Sequence, residues 1–273
     1  MNTPSIDSAQ IYWDTAAETY DSDFANTLIG RAQRESIWKD IEKVFTSGDR
    51  IIELNCGTGI DAVFLATRGV RVLACDISPR MIELAQRRAN SISTKASAGI
   101  EFRVLATENI DVLEEEGLFD GAFSNFSGLN CVEDLQAVAQ KLARLLRPGA
   151  RLVLCVIGRF VPWEIAWHLA HGNPARAFLR FEKVTVGRMA EDGLVSVHYP
   201  SVRKVARIFA PGFKLRKLQG IGLTLPPSYL EYLAGKFPLI LNRLVKIDRY
   251  IGHLPLIRSM GDCVLLQFER VEG

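Results

Sequence analysis

The feature that most constrains the fold is a regular alternation, along residues 50–157, of short apolar runs with segments of helical periodicity. Apolar runs rich in β-branched residues and separated by helices are typical of βαβ units, whose strands are parallel and buried on both faces. The pattern predicts helices over 61–68, 81–89 and 135–146, and strands over 50–54, 70–75, 100–105, 119–124 and 151–157. We therefore expect a doubly wound α/β sheet.

The pattern changes after residue 158. The sequence predicts a helix over 163–170, a hairpin of strands 183–187 and 194–199 around the Asp192-Gly193 turn, and a helix over 202–209. Two closing strands are expected at 214–219 and 263–269, with an apolar, basic helix over 227–251 between them. We accordingly divide the chain into an N-terminal helical segment (1–48), an α/β core (49–157), a cap (158–212) and closing strands with the inserted helix (213–273).

Composition narrows the class of protein. The chain has 273 residues, of which 48% are hydrophobic and 23% charged, so it has enough apolar residues to bury a core and is not disordered. No run approaches the roughly 20 apolar residues of a membrane span, and the polar start is unlike a signal peptide. The five cysteines are odd in number and lack the paired spacing of metal ligands. We expect reduced thiols, no metal site and a cytoplasmic protein.

A glycine turn follows the first predicted strand, in the pattern Gly57-x-Gly59-x-x-Ala62. Glycines there allow a sharp turn and a close approach of backbone N–H groups to a ligand. The spacing also fits a dinucleotide site, so a nicotinamide-dependent oxidoreductase is one alternative. Glu53, just before the turn, would repel a pyrophosphate and attract a cationic ligand. Asp76 ends the second strand, where a carboxylate can accept hydrogen bonds from both hydroxyls of a ribose.

Taken together, residues 53–59, 72–78 and 146–152 resemble the class I S-adenosylmethionine-dependent methyltransferases, most closely the branch that acts on small molecules and lipid quinones. Residues 12–21 are similar to the entry helix of that branch. The resemblance implies a Rossmann-like, mostly parallel seven-stranded sheet whose last strand is antiparallel. It also implies S-adenosyl-L-methionine as the cofactor and a methyltransferase activity.

The resemblance assigns roles by position. The residues that it places around the cofactor are Glu53, Asn55, Gly57 and Gly59 (methionine part and turn), Asp76 (ribose), Ile77, Thr107 and Glu108 (adenine), and Asn125 (near the sulfonium). Tyr20 either closes over the cofactor or packs in an amphipathic helix. Two positions depart from the family pattern. Asn55 stands where a small residue is usual, and Ala106 stands where many relatives have an Asp that accepts from the adenine amino group.

Methyl transfer requires alignment of the acceptor with the methyl group, and a hydroxyl or carbon nucleophile usually also needs a proton acceptor. His198, at the end of the hairpin, is the first candidate for this base, and His168, after the fifth strand, is the second. An amine or thiol acceptor would need no dedicated base. Residues 126–130 follow the fourth strand and are either substrate contacts or an ordinary loop. A non-catalytic protein that binds S-adenosylmethionine is a further alternative.

The charge distribution bears on the acceptor and on partners. Residues 201–273 contain 12 Lys and Arg against 5 Asp and Glu, whereas residues 1–200 contain 21 against 26. In the basic helix, apolar positions 240, 241, 244, 247 and 251 fall at helical spacing beside Arg243, Lys246 and Arg249. We expect a small, hydrophobic acceptor, no nucleic acid, and weak peripheral contact with an anionic membrane, the alternative being a helix simply packed on the sheet. The sequence predicts no oligomeric state.

Overall fold

The computed structural model describes residues 5–226 and 230–272, in which seven strands form one sheet. These are β1 (Arg50–Leu54), β2 (Arg71–Asp76), β3 (Ile100–Val104), β4 (Phe119–Ser124), β5 (Leu146–Ile157), β8 (Phe213–Ile221) and β9 (Cys263–Arg270). Strands β6 (Val184–Arg188) and β7 (Leu194–His198) pair separately as the predicted hairpin.

The order of the main sheet is β3-β2-β1-β4-β5-β9-β8. Strands β1 to β5 are mutually parallel, and β9 is antiparallel to both of its neighbours, β5 and β8. The prediction of a mostly parallel seven-stranded sheet with an antiparallel last strand is confirmed. The carboxyl ends of β1, β2 and β4 therefore meet at one edge, which is where ligands bind in open α/β sheets.

Helices cover both faces of the sheet. The helices of the described residues are α1 (Ile6–Ala16), α2 (Leu28–Ile41), α3 (Ile60–Ala66), α4 (Pro79–Ala89), α5 (Thr94–Ser97), α6 (Leu135–Leu145), α7 (Pro162–Ala170), α8 (Pro174–Ala177), α9 (Val202–Phe209), α10 (Glu231–Lys236) and α11 (Pro238–Ile251). A π-helical turn (Asp21–Ala25) joins α1 to α2, and 3₁₀ turns lie at Thr107–Glu116, Gly128–Cys131 and Leu179–Phe181. None of these helices is both long and apolar enough to cross a membrane.

The core has two halves, one on each face of the sheet, and β5 shows why. Its even-numbered residues, such as Leu152 and Leu154, pack in the half that includes α6 and α9, whereas the odd-numbered Val153 and Cys155 pack with α2. Because successive side chains of a strand point to opposite faces, a strand covered on both sides must be apolar at nearly every position. This requirement explains the continuous apolar runs in the sequence.

The basic segment predicted as one helix over 227–251 is two helices, so that prediction is wrong. Helix α10 ends at Lys236 and α11 begins at Pro238; between them Phe237 has a non-helical backbone (φ −130°, ψ 59°). A proline disfavours helical geometry in the residue before it, and its own fixed φ suits the first turn of a helix. Residues 227–229 of the prediction lie outside the described residues.

Candidate functional site: a cofactor pocket and an adjoining cavity

The glycine turn between β1 and α3 needs left-handed backbone at three positions: Asn55 (φ 54°), Gly57 (φ 53°) and Gly59 (φ 74°). A Cβ on Gly59 would lie 2.7 Å from the Cβ of Ala85, so this glycine allows α3 to begin close against α4. A Cβ on Gly57 would meet only the ring of Tyr20, at 3.8 Å. Gly57 therefore presents bare backbone to a pocket, whereas Gly59 serves the packing of two helices.

Asp76, at the end of β2, is fixed in orientation by backbone donors. Its carboxylate accepts hydrogen bonds from the N–H of Gly57 (2.9 Å) and of Ser78 (3.0 Å), and the residue is only 6% exposed. Burial raises the pKa of this carboxyl to about 6, partly opposed by these N–H donors. Each carboxylate oxygen can accept a second hydrogen bond. Asp76 can therefore receive the two hydroxyls of a ribose, as the sequence predicts.

Glu53 is buried at the end of β1, at 1% exposure, and no described residue forms a hydrogen bond with its Oε2. Burial raises the pKa of this carboxyl well above its usual value; nearby Asp61 and Asp76 add to the rise, and Arg34 opposes it. A buried acceptor without a hydrogen-bond donor lowers the stability of a folded protein. A donor or cation brought by a ligand at this edge would relieve that cost, which is consistent with the charge of S-adenosylmethionine.

Asp61, in the first turn of α3, ties the N-terminal segment to the turn. Its carboxylate accepts from Arg34 Nη1 (2.5 Å) and Trp38 Nε1 (2.6 Å), both on α2, and from Asn125 Nδ2 (2.9 Å) at the end of β4. The Arg34 guanidinium also lies 4.5 Å from the centre of the Phe126 ring. Sequence analysis missed this buried network, because nothing local in the sequence pairs Arg34 with Asp61.

A cover formed by α1 and the π-helical turn closes over the glycine turn. Asp14 accepts from Ser78 Oγ (2.5 Å) and from the N–H of Arg80 (3.1 Å) at the start of α4. Asp21 accepts from Thr58 Oγ1 (2.7 Å) and Arg88 Nη2 (2.5 Å). Between these two anchors Tyr20 faces Gly57, and burial raises the pKa of its phenol to about 12.

The pocket beneath this cover contains six of the predicted cofactor residues: Tyr20, Asn55, Gly57, Asp76, Ile77 and Asn125. Four others are not among its lining residues: Glu53, Gly59, Thr107 and Glu108. Thr107 instead donates to Asn55 Oδ1 (3.2 Å), and the carbonyl of Glu108 accepts from Lys141. The pocket also includes Trp13, Met81, Phe126 and Gly128, which were not assigned to the cofactor. Trp13 lies within residues 12–21, and the similarity of these residues to the family's entry helix is the one sequence feature that pointed to it.

A second cavity, of about 340 Å³, adjoins the first, since Tyr20 and Phe126 line both. Its other lining residues are Phe24, Ser127, Ile157, Glu164, Leu179, Arg180, Tyr199, Asp262 and Cys263. Neither predicted base, His198 nor His168, lines the described part of either space. His198 Nε2 lies 3.5 Å from Glu133 Oε1, although its neighbour Tyr199 does face the cavity.

The sheet order, the single antiparallel strand and the turn carrying Gly57 opposite Asp76 define the fold of class I S-adenosylmethionine-dependent methyltransferases. Residues 51–149 match the family model described as "Methyltransferase domain". The predicted resemblance is thereby confirmed. The match lies on β1 to the start of β5, which contains all the lining residues of the pocket beneath the cover except Trp13 and Tyr20.

Known proteins resemble this chain in part of its sequence or in its fold. The chain is 30% identical over 113 residues to the "Ubiquinone biosynthesis O-methyltransferase" of Xanthomonas oryzae pv. oryzae, covering 41% of this chain and 45% of that protein. It thus spans about half the length of the curated relatives that it matches. In fold it is similar to the CcbJ methyltransferase of Streptomyces caelestis (TM-score 0.63, 13% identity, 97% of this chain and 99% of that one). It is equally similar to the [4+2]-cyclase SpnF (TM-score 0.64, 13% identity, 100% and 99%). None of these three supports the oxidoreductase alternative.

Proposed function

We propose that this protein transfers a methyl group from S-adenosyl-L-methionine to a small, hydrophobic acceptor. The observation that carries the proposal is the pairing, at one edge of the sheet, of the oriented Asp76 carboxylate with the unpartnered Oε2 of Glu53. Asp76 fits a ribose in the pocket, and Glu53, which does not itself line the pocket, would attract a cationic methionine part. The match of residues 51–149 to a methyltransferase domain supports the same conclusion.

Each residue has a part in binding. Asp76 holds the ribose hydroxyls, Ile77 lies on the adenine, and Gly57 leaves room for the methionine part, which Glu53 attracts. Gly59 and Asn55 maintain the turn, Thr107 and Glu108 border the adenine, Asn125 lies near the sulfonium, and Tyr20 covers them. When bound, the cofactor supplies an electrophilic methyl group. The chain's own contribution is to align the acceptor and exclude water, the main requirements of a direct displacement.

The adjoining cavity is the proposed acceptor site. Aromatic and aliphatic side chains form much of its wall, among them Phe24, Phe126 and Leu179, and this favours an uncharged, largely apolar molecule. The name of the Xanthomonas relative, which refers to ubiquinone biosynthesis, supports an acceptor of that character. An apolar wall shared with the cofactor pocket, at Phe126, would bring the two reactants together.

Calorimetric titration with S-adenosylmethionine and, separately, with NAD tests the cofactor. We expect binding of the first and none of the second. Asp76→Ala removes charge-assisted hydrogen bonds worth about 1.5–3 kcal/mol, so affinity should fall roughly tenfold to a hundredfold. Glu18→Ala, which removes an exposed carboxylate between α1 and the π-helical turn, is the control. Binding of NAD alone would overturn the proposal, and tight cofactor binding without turnover of any acceptor would favour the non-catalytic alternative.

The exposed face of α11 supports the proposed membrane contact. Leu239 (77% exposed) and Tyr250 (79%) lie on the surface of the helix, together with the exposed cations Arg243 and Lys246. Arg249 does not belong to this face, because its Nε donates to Ser36 Oγ (3.1 Å) on α2. Apolar side chains beside cations suit the interface of an anionic bilayer, to which each cation contributes about 1 kcal/mol.

Cosedimentation with vesicles of mixed phosphatidylcholine and phosphatidylserine tests this contact. We expect partial cosedimentation at low salt that is lost at high salt and reduced in the double variant Arg243→Gln, Lys246→Gln. Arg203→Gln with Lys204→Gln, two exposed cations of α9, is the control and should cosediment like the wild type. Absence of cosedimentation at every ionic strength would contradict the membrane contact and leave α11 as a helix packed on the rest of the fold or as a pocket lid.

A further inference from the structure

The second cavity contains a charged cluster that cofactor binding does not use. Arg180, in the 3₁₀ turn after α8, lies between two carboxylates: its Nη2 is 2.7 Å from Asp262 Oδ1 and 2.6 Å from Glu164 Oε2. All three side chains line the cavity and are largely buried. The cluster therefore has one negative charge in excess at the wall of the proposed acceptor site.

The two carboxylates of the cluster differ in how they are bonded. Both oxygens of Asp262 accept hydrogen bonds, Oδ1 from Arg180 and Oδ2 from Gln33 Nε2 (2.9 Å) on α2. The Oε2 of Glu164 is held in the ion pair with Arg180, and neither oxygen of Glu164 accepts a hydrogen bond from a described residue. Asp262 thus fixes Arg180 in place, whereas Glu164 is tied to Arg180 through Oε2 and its Oε1 has no partner among the described residues.

On the basis of the proposed function, we propose that Glu164 is the catalytic base: it accepts the proton of the acceptor's nucleophilic hydroxyl or amine. As the oxygen or nitrogen forms its bond to the methyl carbon, its proton passes to the Glu164 carboxylate. The carbon–sulfur bond breaks, and its electron pair stays on sulfur. The proton later leaves Glu164 for solvent. Arg180 positions the carboxylate through the ion pair.

The location of Glu164 favours it over the histidines. It stands in the first turn of α7 and lines the same cavity as Tyr20 and Phe126, the two residues shared with the cofactor pocket. A base must come within hydrogen-bond reach of the proton that it removes, directly or through one water. Of the two carboxylates among the described residues of this cavity, Glu164 is the one whose oxygens accept no hydrogen bond.

The test compares Glu164→Gln with Glu164→Asp, Asp262→Asn and the exposed control Glu182→Gln. The probes are 1-naphthol and 1-naphthylamine, and formation of S-adenosylhomocysteine is measured from pH 5 to 9. We expect Glu164→Gln to lower kcat about 100-fold or more and to abolish the acidic limb of the pH–rate profile. Glu164→Asp should retain that limb at reduced kcat, Asp262→Asn should retain it also, and Glu182→Gln should match the wild type.

Two further measurements separate the possible failures. Cofactor affinity, measured by calorimetry, should be unchanged in Glu164→Gln. A loss of affinity would point to a disrupted fold. The melting temperature of Glu164→Gln and the behaviour of Glu164→Asp would show whether the fold is disrupted. An acidic limb that persists in Glu164→Gln at wild-type kcat overturns the assignment of the base while leaving the methyltransferase proposal intact. If neither probe is turned over by the wild type, fluorescence titration with 1-naphthol and 1-methoxynaphthalene decides. If the wild type does not bind 1-naphthol more tightly than 1-methoxynaphthalene, the proposed role of Glu164 is contradicted.

Discussion

Asn55 and Gly128 are fitted to each other: a Cβ on residue 128 would lie 2.3 Å from the Cβ of Asn55. Asn55 is the position where this chain departs from the small residue usual in the glycine turn. Asparagine tolerates left-handed backbone better than most residues, and the missing side chain at 128 makes room for it. The departure in the turn is therefore compensated on the loop after β4.

This fit predicts coupling between the two positions. Gly128→Ala should destabilise the protein by about 1–3 kcal/mol, because the Asn55 side chain must shift against Thr107. Asn55→Gly should relieve the clash, so the double variant should be more stable than Gly128→Ala alone. Urea unfolding of the four proteins gives the coupling energy, expected at about 0.5–3 kcal/mol. Additive effects would show that the contact is relaxed without cost.

The pKa of Asp76, about 6, predicts how cofactor binding depends on pH. In the proposed binding mode the ionised carboxylate accepts hydrogen bonds from both ribose hydroxyls and the protonated carboxyl accepts them less well, so cofactor affinity should be constant above pH 7. Below pH 6 it should fall, by at most tenfold per pH unit. The pKa is raised in the folded state, so ionisation of Asp76 between about pH 4 and 6 opposes folding rather than supporting it. Calorimetry from pH 5 to 8 measures this dependence. Asp76→Asn should bind the cofactor more weakly, and its affinity should not fall below pH 6.

The Arg34–Asp61 pair predicts a large effect on stability. Both side chains are almost fully buried, at 7% and 5% exposure, so Arg34→Met leaves the Asp61 charge without its cation. Breaking such a pair typically costs about 3–5 kcal/mol. Urea unfolding should show a loss of that size, whereas Arg31→Met, on the exposed side of the same helix, should change stability by about 0.5 kcal/mol or less. Equal effects of the two substitutions would mean that Trp38 and Asn125 suffice to hold Asp61.

The sequence predicts the sheet well because burial on both faces forces apolar runs. The predicted bounds of β1 and β4 agree with the structure, β6 is shifted by one residue from its predicted bounds, and β7 ends one residue earlier than predicted. The catalytic candidate shows the limit of this reasoning. Adjacent residues of a strand point to opposite sides, so His198 faces Glu133 while Tyr199 faces the cavity, and nothing in a five-residue strand says which side is the site. Glu164 and Arg180 lie on separate short elements, and only tertiary packing brings them together.

Ile157 and Cys263 are paired neighbours on β5 and β9, yet the α7, hairpin and α11 regions all lie between them in the chain. The entropy of closing a loop rises slowly with its length, by about 0.6 kcal/mol per doubling, so this long excursion adds little cost to joining the two strands. Most of the wall of the proposed acceptor cavity belongs to this segment or its junctions, whereas Asp76 and the glycine turn do not. If the proposed function holds, the residues that select the acceptor and those that hold the methyl donor lie in different parts of the chain, so cavity substitutions in this segment should alter acceptor preference with little change in cofactor affinity.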